Sequence, residues 1–272
     1  MEKLSQSDIK RTLFEILVHF DDFCRANHLR YSLSEGTLLG AARHKGFIPW
    51  DDDIDIVMPR EDYDRFLLSH KDERYKIVNA QAKSPFFFFC TRLTDTNTVI
   101  KFDKLKSEGR AWFYKWGIWI DINPLDNCPD EEKEYKKYER TVGMYWALYR
   151  VKCRNKWMRT SSLSRNLVWL FLKILLLPVS GNILRKKAYH AIIKHNNVET
   201  KRKCWWDPTV RHLWSFSSKY FEKYTVLEFE GRKFPVVEEW HNFLTEEYGD
   251  YMQLPPESER TSTHSYDAYK YK

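Results

Sequence analysis

Apolar residues recur at Ile9, Leu13, Ile16, Leu17, Phe20 and Cys24, the three-and-four spacing that lays one stripe along a helix. Ser5 and Asp8 stand ahead of it as a reciprocal capping pair, so a scaffold helix is predicted over 5–27. The period then changes. RYSLS (Arg30–Ser34) reads as a strand, TLLGAAR as a short helix entered through Gly36 and Thr37, and Asp53-Ile54-Asp55-Ile56-Val57-Met58 as a second strand. REDYDRFLLSHK, after Pro59, is helical again. Tyr75–Asn79, Phe86–Leu93, Thr98–Phe102 and Ile118–Ile122 have the β-branched and aromatic content of strands, and the four phenylalanines at 86–89 read as a strand buried on both faces. Near the end, Thr225–Phe229 and Arg232–Phe234 predict a hairpin around Glu230-Gly231, followed by a helix over Val236–Tyr248 that stops at Gly249. Ser265–Lys272 is expected to be disordered.

On a strand, residues two apart share a face, so Asp53 and Asp55 project together while Ile54 and Ile56 are buried. Paired carboxylates repel unless a positive charge lies between them, and a divalent cation that prefers oxygen is one solution. A calcium loop starting at Asp51 fails at its sixth position, Ile56 instead of Gly, and at its twelfth, Asp62 instead of Glu. A solvated acidic turn is the plain alternative. Upstream, Gly36 allows close backbone approach and Thr37 can cap, so free N–H groups at that helix start are candidates to hold a phosphate. Arg43, His44 and Lys45 follow as candidate phosphate ligands, with Gly46 as the stop signal. A phosphate cradle followed by metal carboxylates is the order of nucleotide chemistry.

The run GTLLGAARHKGFIPWDDDIDIVMPREDYDRF resembles the signature of the LicD family, which includes bacterial phosphocholine transferases and, more distantly, fukutin-related proteins. The resemblance continues at FCTRLTDTNTVI, at GIWIDINPLD and from Phe229 to His264, leaving out roughly Glu131–Tyr224. It implies an α+β, nucleotidyltransferase-like fold: a mixed β-sheet core flanked by helices, with a basic, mostly helical insertion. It also implies transfer of a phospho-alcohol from a CDP-linked donor to a sugar hydroxyl. Arg92 matches a basic position of the family pattern and would clamp donor phosphates, with a surface ion pair to Asp95 as the alternative. His264 falls in the pattern as a phosphate or acceptor contact. Asp121 lies among Ile118, Trp119, Ile120 and Ile122, apolar neighbours that would ordinarily exclude a charge, and a metal shared with Asp53 and Asp55 would give it a partner. Three carboxylates from two adjacent strands suit a two-metal phosphoryl-transfer site. Asp126 fits a structural role better.

Composition changes the picture locally. The 272-residue chain carries +7 overall, but positions 150–203 hold fourteen Lys or Arg against the single acid Glu199, which leaves the remainder at −6. Inside this window lies LVWLFLKILLLPVSGNIL (Leu167–Leu184), too short to span a bilayer yet suited to a helix lying in its interface. A buried core helix is the alternative. Nucleic acid is the weaker reading, because the cations bracket a greasy helix instead of interleaving with exposed aromatics. The aromatic segment 205–221 is a candidate pocket wall, and an aromatic cage would suit choline. Five cysteines without CxxC spacing fit a reducing compartment without structural disulfides or a zinc cluster. A charged N-terminus unlike a signal peptide points to a cytoplasmic location, peripheral on the inner face of the cell membrane through 159–187.

These readings combine into a catalytic core over 1–130, a basic insertion facing acceptor or membrane over 131–224, and a C-terminal segment over 225–272 that packs back on the core. The expected enzyme uses two magnesium ions, with manganese as the substitute, to move phosphocholine from CDP-choline to lipopolysaccharide, teichoic acid or a lipid-linked glycan precursor. Asp53, Asp55 and Asp121 serve as ligands and catalytic groups. Gly36, Thr37, Arg43, His44, Lys45, Arg92 and His264 contact substrate. A DxD-type glycosyltransferase or another nucleotidyltransferase, and a membrane-surface adaptor with a vestigial site, are the competing classes.

Overall fold

The computed structural model describes residues 1–79, 90–101, 116–153, 162–207, 212–261 and 266–271. Ser5 caps helix α1 (Gln6–Ala26) and Asp8 returns the bond, the reciprocal capping expected from the sequence. The helix turns Ile9, Leu13, Ile16, Leu17, Phe20 and Cys24 into the main core. Asp21 is buried on the same face without penalty: Arg25, the Tyr31 hydroxyl and Arg232 all donate to it, fastening α1 to the C-terminal hairpin.

The central sheet is mixed. Strands β2 (Ser32–Leu33), β3 (Asp55–Pro59), β7 (Trp119–Asn127), β5 (Thr91–Asp95) and β4 (Tyr75–Asn79) lie side by side in that order. β3 and β7 run parallel, and the other pairs are antiparallel. The first half of β7 sits between β3 and β5, while its last two residues pair with β8 (Arg202–Asp207), itself paired with β9 (His212–Ser217). Helices α2 (Glu35–His44) and α3 (Arg60–Ser69) enter and leave β3. Strand β10 (Tyr224–Phe229) turns onto β11 (Arg232–Val237) through Glu230 and Gly231, both at positive φ, as a two-residue hairpin turn of this hand requires. β11 extends to Val237, so helix α7 (Trp240–Tyr248) starts later than its hydrophobic pattern indicates.

Two expectations are corrected. The C-terminus is ordered over 267–270: strand β12 (Asp267–Lys270) fills the gap between β1 (Glu2–Lys3) and β6 (Thr98–Lys101), where its backbone is paired on both sides. The aromatic segment is largely core. Adjacent residues of β8 point to opposite faces, so Trp205 enters the main core, stacked on Phe216, while Trp206 enters a second core with Tyr135, Tyr138, Val142 and Trp146. That second core is formed by helices α4 (Glu132–Cys153) and α6 (Gly181–Ile192). Helix α5 (Leu163–Leu175) lies between them in sequence. Phe86–Phe89 lie outside the described residues.

Candidate active site

The parallel register of β3 and β7 sets Asp55 directly opposite Asp121. The antiparallel register of β7 and β5 sets Asp121 opposite Arg92. Residues that face each other across neighbouring strands share a side of the sheet, so Asp55, Asp121 and Arg92 form one row across three strands. Asp53 lies just ahead of β3, in extended chain held to β7 where the Asp121 N–H donates to the Ile54 carbonyl, 2.9 Å. The alternation survives there: Ile54 is fully buried and its aspartate neighbours are half-buried.

The start of α2 is laced to the same strand. The Ser34 N–H donates to the Asp55 carbonyl at 3.0 Å, and the Asp55 N–H donates to Thr37 Oγ1 at 2.9 Å. Ser34, not Thr37, is the residue ahead of the helix, and its hydroxyl does not cap it. Thr37 is buried in the first turn, where its hydroxyl positions Asp55. Glu35 takes a φ of 48°, a left-handed backbone rare for a side chain that is not glycine. Gly36 is required for a different reason from the one expected: a Cβ there would come within 2.5 Å of Asp51 Oδ2, so the close approach is made by a carboxylate of the chain itself.

Carboxylates dominate this end of the sheet. Burial, reinforced by Glu35, Asp53, Asp121 and Asp51, pushes the Asp55 carboxyl well above the usual range. Burial and then Glu247, Asp207, Asp53 and Asp121 push Glu35 up to about 8. Burial also raises Glu247 to about 7, and its Oε2 is enclosed without a hydrogen-bond partner among the described residues. Asp121 has local compensation: Arg92 Nε donates to Oδ1 at 2.7 Å and Trp119 Nε1 to Oδ2 at 2.8 Å, while the guanidinium lies 4.0 Å over the Trp119 ring. Tyr266 closes this side, 5.9 Å from Trp119, its hydroxyl held protonated by burial and by Asp52 and Asp53. Among the described residues no three His, Cys, Asp or Glu side chains converge as a metal-binding group.

Of the residues expected from sequence, Asp53, Asp55, Asp121, Arg92, Gly36 and Thr37 come together. The basic elbow does not. Eight residues along α2 at 1.5 Å each carry Arg43 about 12 Å from the helix start, and it donates to the carbonyls of Tyr251 and Gln253. His44 shares that far end, and Lys45, exposed, supplies the left-handed residue that ends the helix, at φ 57°, in place of Gly46. Arg92 pairs with Asp121, not Asp95, which Arg74 holds instead. Asp126 is the structural carboxylate expected: fully buried, it receives Arg60 at 2.7 and 2.6 Å and Asn196 at 2.5 Å. His264 lies outside the described residues. Glu35, Glu247, Trp119 and Tyr266 are additions that the sequence reading missed. Trp119, two residues before Asp121 on a strand, was recoverable from the period of two; Glu247 and Tyr266 join only through tertiary packing.

The mixed sheet thus sets carboxylates near the start of two parallel strands, laced to a glycine-opened helix. Residues 28–127 match the family described as LicD/FKTN/FKRP, nucleotidyltransferase domain. Over 280 aligned residues it is 29% identical to the lipopolysaccharide cholinephosphotransferase LicD of Haemophilus influenzae, covering 99% of each chain. Shorter similarities link it to two uncharacterised proteins, one of Rickettsia typhi (34% over 86 residues; 27% of this chain and 28% of that one) and one of Rickettsia prowazekii (41% over 51 residues; 19% of each).

Proposed function

We propose that this chain is a phosphotransferase that moves phosphocholine from CDP-choline to a hydroxyl of a lipopolysaccharide-type glycan or its lipid-linked precursor. The observation that carries the reading is the cross-strand register of Asp55 with Asp121, beside Asp53 and Glu35. Carboxylates gathered and buried together are costly to a fold and mark a candidate site for something positive. The end-to-end similarity to a cholinephosphotransferase supports the substrate class.

Asp53, Asp55 and Asp121 offer the carboxylate oxygens that a hard divalent ion prefers, and burial, then the neighbouring carboxylates, pushes Asp55 and Glu35 toward protonation. Asp53 and Asp55 would hold magnesium, or manganese in its place, and Asp121 would complete the set as Arg92 turns from it to a donor phosphate. Bound there, the ion supplies charge neutralisation for the pyrophosphate. The acceptor hydroxyl attacks the phosphorus that bears choline, and the bond from that phosphorus to the bridging oxygen breaks. CMP leaves with the electron pair, and the hydroxyl proton passes to a carboxylate of the cluster. The protein contributes mainly positioning and preorganised charge: Thr37 fixes the Asp55 backbone, and Trp119 fixes the Asp121 carboxylate.

Among the described residues no helix is long and apolar enough to cross a membrane. On this reading any attachment to the inner face of the cell membrane is peripheral. The test is incubation with CDP-choline and an acceptor glycan in magnesium, following CMP release and choline on the glycan. CDP-ribitol, CDP-glycerol and UDP-sugars serve as competitors. Release of UDP from a UDP-sugar, or no CMP release with any CDP-alcohol, counts against the assignment.

A further inference from the structure

Helix α5 breaks the rule that an apolar helix hides its apolar face. Of its 13 residues only Trp169 is buried, while Leu163, Leu167, Val168, Phe171, Ile174 and Leu175 are exposed, Leu163 by 75% and Phe171 by 64%. At about 100° per residue these six positions fall within one arc of roughly 140°, opposite Trp169. The helix therefore docks on the protein by one edge and turns its greasy stripe outward. Leu177, just past its end, is 67% exposed and continues the stripe. An exposed apolar patch of this kind marks an interaction surface. The alternative of a buried core helix is thereby excluded for α5.

Charge selects the occupant. Between Ser162 and His195 there is no Asp or Glu, against Arg165, Lys173, Arg185, Lys186, Lys187 and Lys194. Lys186, Lys187 and Lys194 are exposed on and just beyond α6. An apolar stripe on a helix about 20 Å long, in an acid-free and cation-rich stretch of the chain, is too short to span and matches an anionic leaflet, into which such a face sinks to the depth of the headgroup boundary. We propose that α5 is an in-plane membrane anchor: Leu167, Phe171 and Ile174 enter the acyl boundary of an anionic phospholipid surface, and the cations of α6 sit at the headgroups. This deepens the reading above by naming how the enzyme would reach a lipid-linked acceptor, and it rests on that reading for its purpose only.

The test floats the full-length protein with phosphatidylglycerol-containing vesicles, with pure phosphatidylcholine vesicles and with none, beside two variants. One carries Leu167→Ser, Phe171→Ser and Ile174→Ser together; the other carries Arg185→Gln, Lys186→Gln and Lys187→Gln. The wild type is expected to float with anionic vesicles only, and less so in high salt. The serine variant should stay at the bottom with an unchanged melting curve, and the glutamine variant should bind about a hundredfold more weakly, near fivefold per cation. Wild type that stays down, or a serine variant that floats equally well, overturns the proposal. So does a wild-type dimer in solution that the serine variant converts to monomer without any vesicle binding, which would assign the face to a second copy. Flotation needs no turnover, so its failure and the failure of the phosphocholine assignment are separate results.

Discussion

Two aspartates on one strand have opposite environments. Asp121 and Asp126 lie five residues, about 17 Å, apart on β7. Asp126 is fully enclosed, yet Arg60 and Asn196 satisfy it, and the pair ties β7 to α3 and to the chain following α6. At the other end, Arg92 and Trp119 hold Asp121, but Asp55 and Glu35 lie within its electrostatic reach, and Asp53 and Glu247 add to the charge beside them. Burial of charge alone does not mark function. A cluster of one sign of charge, each member raising the pKa of the next, is the stronger mark.

The largest effects should separate the two ends in opposite directions. Asp55→Asn is expected to lower CMP release about a thousandfold, the scale of losing a preorganised charge contact in the transition state, while the melting temperature holds or rises because a repelling carboxylate has gone. Asp126→Asn should do the reverse, costing about 3–5 kcal/mol in denaturant unfolding by leaving Arg60 buried beside a neutral partner. If both lose stability alike, the distinction between the ends is wrong.

Metal provides the next contrast. Magnesium or manganese at about a hundred times its dissociation constant should add about 2.7 kcal/mol of stability. EDTA should remove that gain, and Asp53→Asn or Asp55→Asn should abolish it while Asp126→Asn leaves it in place. A gain that persists in both acidic-site variants would locate the ion elsewhere.

The pH dependence is smaller and has a definite sign. Glu35 ionises near 4.5 when unfolded but near 8 when folded, and Asp55 is displaced the same way from 3.8. Over that window the folded chain holds more protons than the unfolded one, so metal-free stability falls as pH rises from about 4.5 toward 8. Glu35→Gln should flatten this slope, as measured by melting temperature across pH 5–8; an unchanged slope would remove Glu35 from the cluster. Smallest of all, Gly36→Ala must displace the Asp51 carboxylate that now lies 2.5 Å from the added Cβ. It should slow turnover roughly tenfold through misplacement at the site, with little effect on folding.

Local pattern alone determined much of this protein. The α1 stripe and its capping pair, the alternation through Asp53-Ile54-Asp55, the Glu230-Gly231 hairpin and the acid-free window around α5 are all consequences of periodicity and turn chemistry, which act over a few residues. What only the tertiary structure decided is which distant positions meet. Strand register set Asp55 against Asp121 and gave Asp121 to Arg92; the length of α2 carried Arg43, His44 and Lys45 away from the carboxylates; and chain packing brought Glu247 and Tyr266 to them. Register and packing are fixed by the whole core at once, so no short stretch of sequence contains them.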